Sequence, residues 1–308
     1  MELIRGLHNL RPRHRGCALT IGNFDGVHRG HQAVFSQLAA IAKDKAVPGT
    51  ALSFEPQPRE FFSGENAPAR LTRFREKVEA LAHTPLDRVV VVPFTKVFSQ
   101  LSPEAFIKEV LIEALDVRHV VVGEDFHYGH RARGSFMALQ EAGEKFGFGV
   151  SRCITFELDG RRVSSSWVRD ALAGGELTEA ENLLGRPYCI QGRVARGRQV
   201  GRSIGFPTAN VPLRRLSTPL SGVYAVRVHG LAGTPLAGVA NLGTRPTVKG
   251  NHKLLEVHLF DFDEDVYGRH VSVEFAHKLR DEKKFDSLDG LKAQIIQDGN
   301  AARELLGV

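Results

Sequence analysis

Two stretches of this chain combine residue types and spacing that could do chemistry. The first is "TIGNFDGVHRGH", Thr20 to His31, where an apolar run stops at Gly22 and a helix-like run begins. A helix N-terminus carries unpaired N–H groups and a partial positive charge, so it attracts phosphate. His28 and His31, three apart at that end, can lean toward one anion and donate hydrogen bonds as charge develops on it. Gly30 between them is expected to let the anion approach the backbone. An H-x-x-H pair also suits a metal or plain solvated surface, but no third Cys or His stands nearby to complete a zinc site. The loop matches neither G-x-G-x-x-G nor a Walker A sequence. The second stretch is "GRVARGRQVGRSIGFPTANV", Gly192 to Val211, with glycines at 192, 197, 201 and 205. Such a turn can wrap phosphates with backbone N–H groups, or simply permit tight hairpins. Thr208 and Asn210 alternate along an extended segment and point to one face, where two neutral oxygens with phosphate and water could complete a magnesium shell.

The elements around these stretches follow two patterns. Up to about Ala173, β-rich runs ("CALTIG", "VPGTALSF", "RVVVVPF", "RHVVVG", "GVSRCITF") alternate with amphipathic helix-length runs at His31–Lys45, Thr72–His83, Pro103–Leu115 and Gly134–Phe146. That alternation predicts a parallel sheet covered on both faces, with ligands beyond the carboxyl ends of its strands. Both "GNFDGVHRGH" and "GEDFHYGHRARG" begin at such ends. After "LTEAENLLGRPY" the chain turns to short strands ("YCIQGRVA", "GVYAVRV", "PLAGVANL", "LLEVHLFDF", "HVSVEFAHKL") and a final helix near Ser287–Leu305. This reads as a small antiparallel barrel. The expected division is therefore 1–185 for an α/β domain and 186–308 for a barrel with a C-terminal helix.

Composition narrows the partners. A net charge of +6 in 308 residues suits phosphorylated small ligands, and aromatics are not interleaved with the basic residues as in a nucleic-acid surface. No nucleic acid is expected. Three scattered cysteines, the absence of a signal-peptide core and the lack of a bilayer-length apolar run predict a cytoplasmic protein that does not enter membranes.

Several strings taken together resemble known families. H-x-G-H after the first strand resembles the nucleotidyltransferase superfamily, and "GNFDGVHRGH" its FMN adenylyltransferase branch, a Rossmann-like fold. "FEPQPREFF" (Phe54–Phe62), "LT..REK" (Leu71–Lys77), "VVGEDFHYG" (Val121–Gly129) and "VSSSWVR" (Val163–Arg169) fit the same branch. The resemblance implies that His28 and His31 are catalytic, and that Gly22, Asn23, Phe24, Asp25, Ser164, Ser165 and Arg169 hold the ATP phosphates. By itself Ser before an apolar run is also good helix-capping chemistry. Phe54, Pro56 and Asp125 would meet the flavin. Gln57 stands where the family usually has His, and His127-Tyr128 replaces a common Arg-Phe. In the second half "GRSIGFPTAN", "GVYAV", "GVANLGTRPT", "LEVHLFDFDEDVYG" and "KLRDEKKFDSLDGLKAQI" look like riboflavin kinase. Gly197, Gly201, Gly205, Thr208 and Asn210 would bind ATP, Thr208 and Asn210 through Mg2+. Arg280 and Phe285 would meet the flavin, and Glu256 would be the catalytic base. Strand alternation puts Glu256 on one face with His258 and Phe260. Nearly the whole chain is covered, and the implied family is the bacterial bifunctional riboflavin kinase/FAD synthetases. Its substrates and products would be ATP, riboflavin, FMN and FAD. An acceptor such as pantetheine phosphate or a nicotinamide nucleotide, or a barrel that only senses flavin or RNA, would account for fewer of these strings.

Overall fold

The computed structural model describes residues 1–123, 125–196, 205–247 and 250–308. They pack as two compact units. One comprises residues 1–68 and 77–164, the other residues 69–76 and 165–308.

The first unit is built on a parallel six-stranded sheet, β1 (Glu2–Arg5), β2 (Ala18–Ile21), β3 (Gly49–Glu55), β4 (Arg88–Pro93), β5 (His119–Val122) and β6 (Gly149–Arg152), in the order β1-β4-β3-β2-β5-β6. All four residues of β2 are buried, as a strand covered on both faces requires. Leu19, Leu52, Val90 and Val120 pack with Phe106, Leu111 and Leu139 in one core. Strand order runs from β2 through β3 to β4, then crosses back to place β5 beside β2. The carboxyl ends of β2 and β5 therefore flank a topological switch point, where such sheets bind ligands. The expected helices appear as α1 (Arg29–Asp44), α3 (Phe74–Ala82), α5 (Pro103–Ala105) continuing as a π-helix (Phe106–Ala114), and α6 (Phe136–Phe146), with the short α2 (Pro58–Ser63) and α4 (Lys96–Ser99) between them. The edge strand β1 was not expected: its four residues are too few to show a period, and it is defined by pairing with β4. A short antiparallel pair, β7 (Glu157–Leu158) and β8 (Arg161–Arg162), completes the described strands of the first unit.

The second unit is an antiparallel sheet of β9 (Cys189–Arg193), β10 (Ala209–Pro212), β11 (Gly222–His229), β12 (Leu236–Thr247), β13 (Gly250–Leu259) and β14 (His270–Arg280), in the order β10-β13-β12-β11-β14-β9. The sheet curls until its edges meet: Ala195 N donates to the Asn210 carbonyl at 2.8 Å, nearly closing a barrel. Helices α7 (Ser165–Gly174) and α8 (Leu177–Leu184) belong to this unit, tied by Trp167 Nε1 donating to Glu179 Oε1 at 2.8 Å. The C-terminal helix (Leu288–Leu306) starts on a Ser287 cap and lies on the outer barrel face, where Ala302 packs against Phe260 and Ala225.

Segment 69–76 is drawn into the second unit by a buried ion pair. Arg215 Nη2 donates to both Glu76 carboxylate oxygens at 2.9 Å, and the two side chains are 1% and 5% exposed. Gln191 N–H also donates to Glu76 at 3.0 Å, and the Tyr188 hydroxyl donates to the Leu71 carbonyl at 3.0 Å. Removing one member of such a pair strands a charge, whereas replacing both with apolar groups of similar size does not. Arg215→Met should therefore cost about 3–5 kcal/mol in urea unfolding of this unit, and adding Glu76→Met should recover most of it. A single-mutant cost below about 1 kcal/mol would show that the pair carries little.

Candidate active sites

In the first unit the chain leaves the sheet at Gly22, whose N–H still bonds the Leu52 carbonyl at 3.0 Å. It then reaches α1 through a loop in which Phe24, Gly26 and Val27 all have positive φ, at 48°, 85° and 45°. His28 is the N-cap of α1. Its carbonyl accepts from His31 N at 2.8 Å and Gln32 N at 3.0 Å, and its ring Nδ1 accepts from His31 N at 3.3 Å. With Nδ1 accepting, the proton of the neutral ring sits on Nε2. His28 is 4% exposed and stacks on His31 with ring centroids 3.6 Å apart. Phe24 packs edge-on against His31 at 5.3 Å and against Phe35 at 4.9 Å. Asp25 is buried in the same loop, and Gly22 and Asn23 are partly buried.

Gly30 has a further reason to be glycine besides the expected approach of an anion. A Cβ there would lie 2.9 Å from the Val163 carbonyl and 3.0 Å from His28 Nδ1. The glycine makes room for the protein itself, a neighbouring backbone and the histidine ring. It also brings the chain just before Ser164 against the start of α1.

Ser164 closes the first unit; Ser165 and Arg169 stand on α7 in the second, where Arg169 Nε donates to the Ala69 carbonyl. Phe54, at the end of β3, belongs to a chain of aromatic rings that its own string only partly showed. It lies 5.7 Å from Phe94, which is 5.5 Å from Phe61 and 5.7 Å from Phe62. Phe62 is 68% exposed. Pro56 is exposed beside this chain of rings. Asp125 is exposed and accepts from Arg162 Nη1 at 3.2 Å. Of the two departures from the family pattern, Tyr128 is a core residue against Phe106 and Phe126, its hydroxyl pushed up to about 12 by burial. Gln57 is buried at the start of α2 (Pro58–Ser63), and its Nε2 has no hydrogen-bond partner among the described residues.

In the second unit Leu255, Val257 and Leu259 are buried, while Glu256 and His258 alternate with them on the opposite face. Glu256 sits directly across from Asn210 on β10 and Asn241 on β12, so three polar residues form a row over three adjacent strands. Asn241 lay inside a family-like string but had no partner in the sequence to single it out; cross-strand register supplies one. Glu256 and Asn241 line a cavity of about 440 Å3 between the barrel and the C-terminal helix. Thr208, Arg280 and Phe285 line it too, as do apolar Val223, Val239, Leu291 and Ile295. A second cavity of about 260 Å3 lies on the other side of Thr208, walled by Pro207 and residues 263–267.

The Asn210 side-chain oxygen is buried with no hydrogen-bond partner among the described residues. Together with the Thr208 hydroxyl it makes a hard, oxygen-only donor set that fits a magnesium ion. Gly205 lies at φ 89°, a glycine conformation, with open space where a Cβ would be. Gly197 and Gly201 lie outside the described residues. Arg280 commits all three guanidinium nitrogens: Nε and Nη2 to Asp298 at 2.8–3.1 Å and Nη1 to the Asp281 carbonyl at 2.9 Å. Its flat face remains, 5.8 Å from the Phe285 ring.

Comparisons with known proteins agree with this arrangement. A family model described as FAD synthetase matches residues 10–167, and one described as riboflavin kinase matches residues 184–306. The bifunctional riboflavin kinase/FMN adenylyltransferase of Escherichia coli (strain K12) is 51% identical over 100% of this chain and 99% of its own. That of Haemophilus influenzae is 50% identical over 98% of each chain. A crystal structure described as a macrolide-efflux protein from Streptococcus pneumoniae aligns with a TM-score of 0.82 and 28% identity, over 98% of this chain and 99% of that one. No helix among the described residues is long and apolar enough to cross a membrane. With two family models in tandem and relatives half identical from end to end, the chain belongs to the bifunctional riboflavin kinase/FMN adenylyltransferases.

Proposed function

We propose that this chain phosphorylates riboflavin to FMN and adenylylates FMN to FAD, both with ATP, at two separate sites. Residues 186–308 carry the first reaction and residues 1–185 the second. The observation that carries the reading is the Asn210–Glu256–Asn241 row, whose Glu256 and Asn241 line a cavity of flavin-compatible size with many apolar walls. The same chemistry belongs in the cytoplasm, where three free cysteines are at home.

In phosphorylation Glu256 takes the proton from the ribityl 5′-hydroxyl as that oxygen attacks the γ-phosphorus, and ADP leaves. The apolar wall of the C-terminal helix receives the flavin ring, with the face of Arg280 and Phe285 beside it. Gly197, Gly201 and Gly205 would bind the ATP phosphates. Thr208 and Asn210 would hold Mg2+ together with phosphate oxygens. The ion supplies neutralisation of polyphosphate charge when bound.

In adenylylation the FMN phosphate oxygen attacks the α-phosphorus of ATP, the bond to the bridging oxygen breaks and pyrophosphate departs. No protein nucleophile is required, because positioning and charge stabilisation do the work. His28 offers Nε2–H, and His31 its own ring, to the phosphate oxygens. Gly22, Asn23, Phe24 and Asp25 shape the phosphate loop, and Ser164, Ser165 and Arg169 hold the departing pyrophosphate. Phe54, Pro56 and Asp125 receive the flavin, with the exposed Phe61 and Phe62 rings extending that surface.

Two variants separate the reactions in one assay of riboflavin, Mg-ATP and protein with products resolved by chromatography. Replacing both His28 and His31 with Ala should leave FMN formation near the wild-type rate and lower FAD formation on the order of 10²-fold or more. FAD formed at the wild-type rate would remove the histidines from the reaction. Glu256→Gln should lower riboflavin phosphorylation roughly 10²–10⁴-fold, while supplied FMN is still adenylylated. A Gln variant that phosphorylates normally would leave the cavity without its base.

A further inference from the structure

Lys77 is a charged side chain to which the chemistry above gives no part, yet the residue is only 1% exposed. It lies on α3, and its Nζ donates to the Asn23 carbonyl at 3.2 Å and to Ser53 Oγ at 3.1 Å. Ser53, wholly buried on β3, donates its own hydroxyl hydrogen to the same carbonyl at 3.3 Å. Burying an ammonium group is costly unless strong hydrogen bonds offset the lost water.

The target of this grip is informative. Asn23 follows the last residue whose N–H still bonds the neighbouring strand, so its carbonyl is where the chain quits the sheet. The next four residues include Phe24, Gly26 and Val27 at positive φ, and His28 comes immediately after them. Non-glycine residues in that region are strained and persist only where the surroundings over-determine them. A carbonyl clamped by an ammonium and a hydroxyl is such a surrounding. The clamp sets where the loop begins, and the α1 cap sets where it ends.

We propose that Lys77, with Ser53, is a positioning residue for adenylyl transfer: it fixes the Asn23 carbonyl and thereby holds the strained loop that aims His28. The inference rests on reading Thr20–His31 as the adenylyl-transfer site. Its effect belongs in the rate of the chemical step, because a misplacement of about 1 Å in a catalytic group can cost on the order of 10²-fold without loss of substrate binding.

The test uses the full-length chain with Lys77→Met, Ser53→Ala and, in parallel, His28→Ala. For each, kcat and KM for FMN and Mg-ATP in adenylylation are measured beside riboflavin phosphorylation. Lys77→Met keeps the length and apolar stem and removes the donors. Its adenylylation kcat should fall roughly 10–100-fold with both KM values within about threefold and phosphorylation unchanged. The deficit should not shrink on cooling well below the melting midpoint, as it would if partial unfolding caused it. Ser53→Ala, which removes one of the two donors, should lower the same kcat about fivefold. A wild-type kcat in Lys77→Met overturns the proposal, and so does a raised KM with kcat unchanged, which would mean that the amine meets substrate. If Lys77→Met does not fold, Ser53→Ala decides, and an unchanged kcat there overturns it. Should His28→Ala itself keep full adenylylation, the reading of the site fails instead, whatever Lys77→Met does.

Discussion

The first unit depends on how the chain gets from the end of β2 to the start of α1. Six residues, Gly22 to Val27, must turn a buried parallel strand into a helix whose N-terminus faces the carboxyl edge of the sheet. The turn is tight enough that two non-glycine residues take positive φ. That geometry leaves His28 at the cap, using its carbonyl and Nδ1 on the first turn of the helix. Stacking then places His31 against the same ring. Strand, strained loop, cap and imidazole pair are one construction, and the switch between β2 and β5 determines which edge of the sheet it decorates.

The barrel solves a different problem with a different period. Two-residue alternation along β13 sends Leu255, Val257 and Leu259 inward and Glu256 and His258 outward. Antiparallel register then aligns Glu256 with Asn210 and Asn241, so a polar row needs no special loop to assemble it. The C-terminal helix encloses the Glu256 and Asn241 part of that row as one wall of a cavity. Two ion pairs fasten it: Arg280 with Asp298, and Arg303 with Asp261. Because Arg280 spends its Nε–Nη2 edge on that fastening, its flat cationic face is what it turns to the cavity beside Phe285.

Much of this was legible in the sequence because it is local. Period and turn chemistry found the main helices and most strands to within a few residues, and the H-x-x-H motif marked the helix it begins. What could not be read depends on partners far away in the chain. Strand β1 exists through its pairing with β4, and β10 through pairing with β13. Gly30 is explained by a carbonyl more than a hundred residues on. Lys77 looked like one charge among several in "LTRFREK", and only packing shows that it is buried on the Asn23 carbonyl. Segment 69–76 belongs with the barrel through an Arg–Glu pair separated by 139 positions. No composition or spacing rule connects those two residues.

The central claim is that one chain performs two chemically different attacks on ATP, at the γ-phosphorus and then at the α-phosphorus. Isotope tracing tests it most directly: riboflavin is incubated with the protein and Mg-ATP labelled at one phosphorus or the other, and the FAD is cleaved at its pyrophosphate. The account predicts that γ-label appears only in the FMN half and α-label only in the AMP half, with one ADP formed per riboflavin phosphorylated and one pyrophosphate per FAD. FAD that carries α-label but never γ-label, and forms only when FMN is supplied, would contradict it.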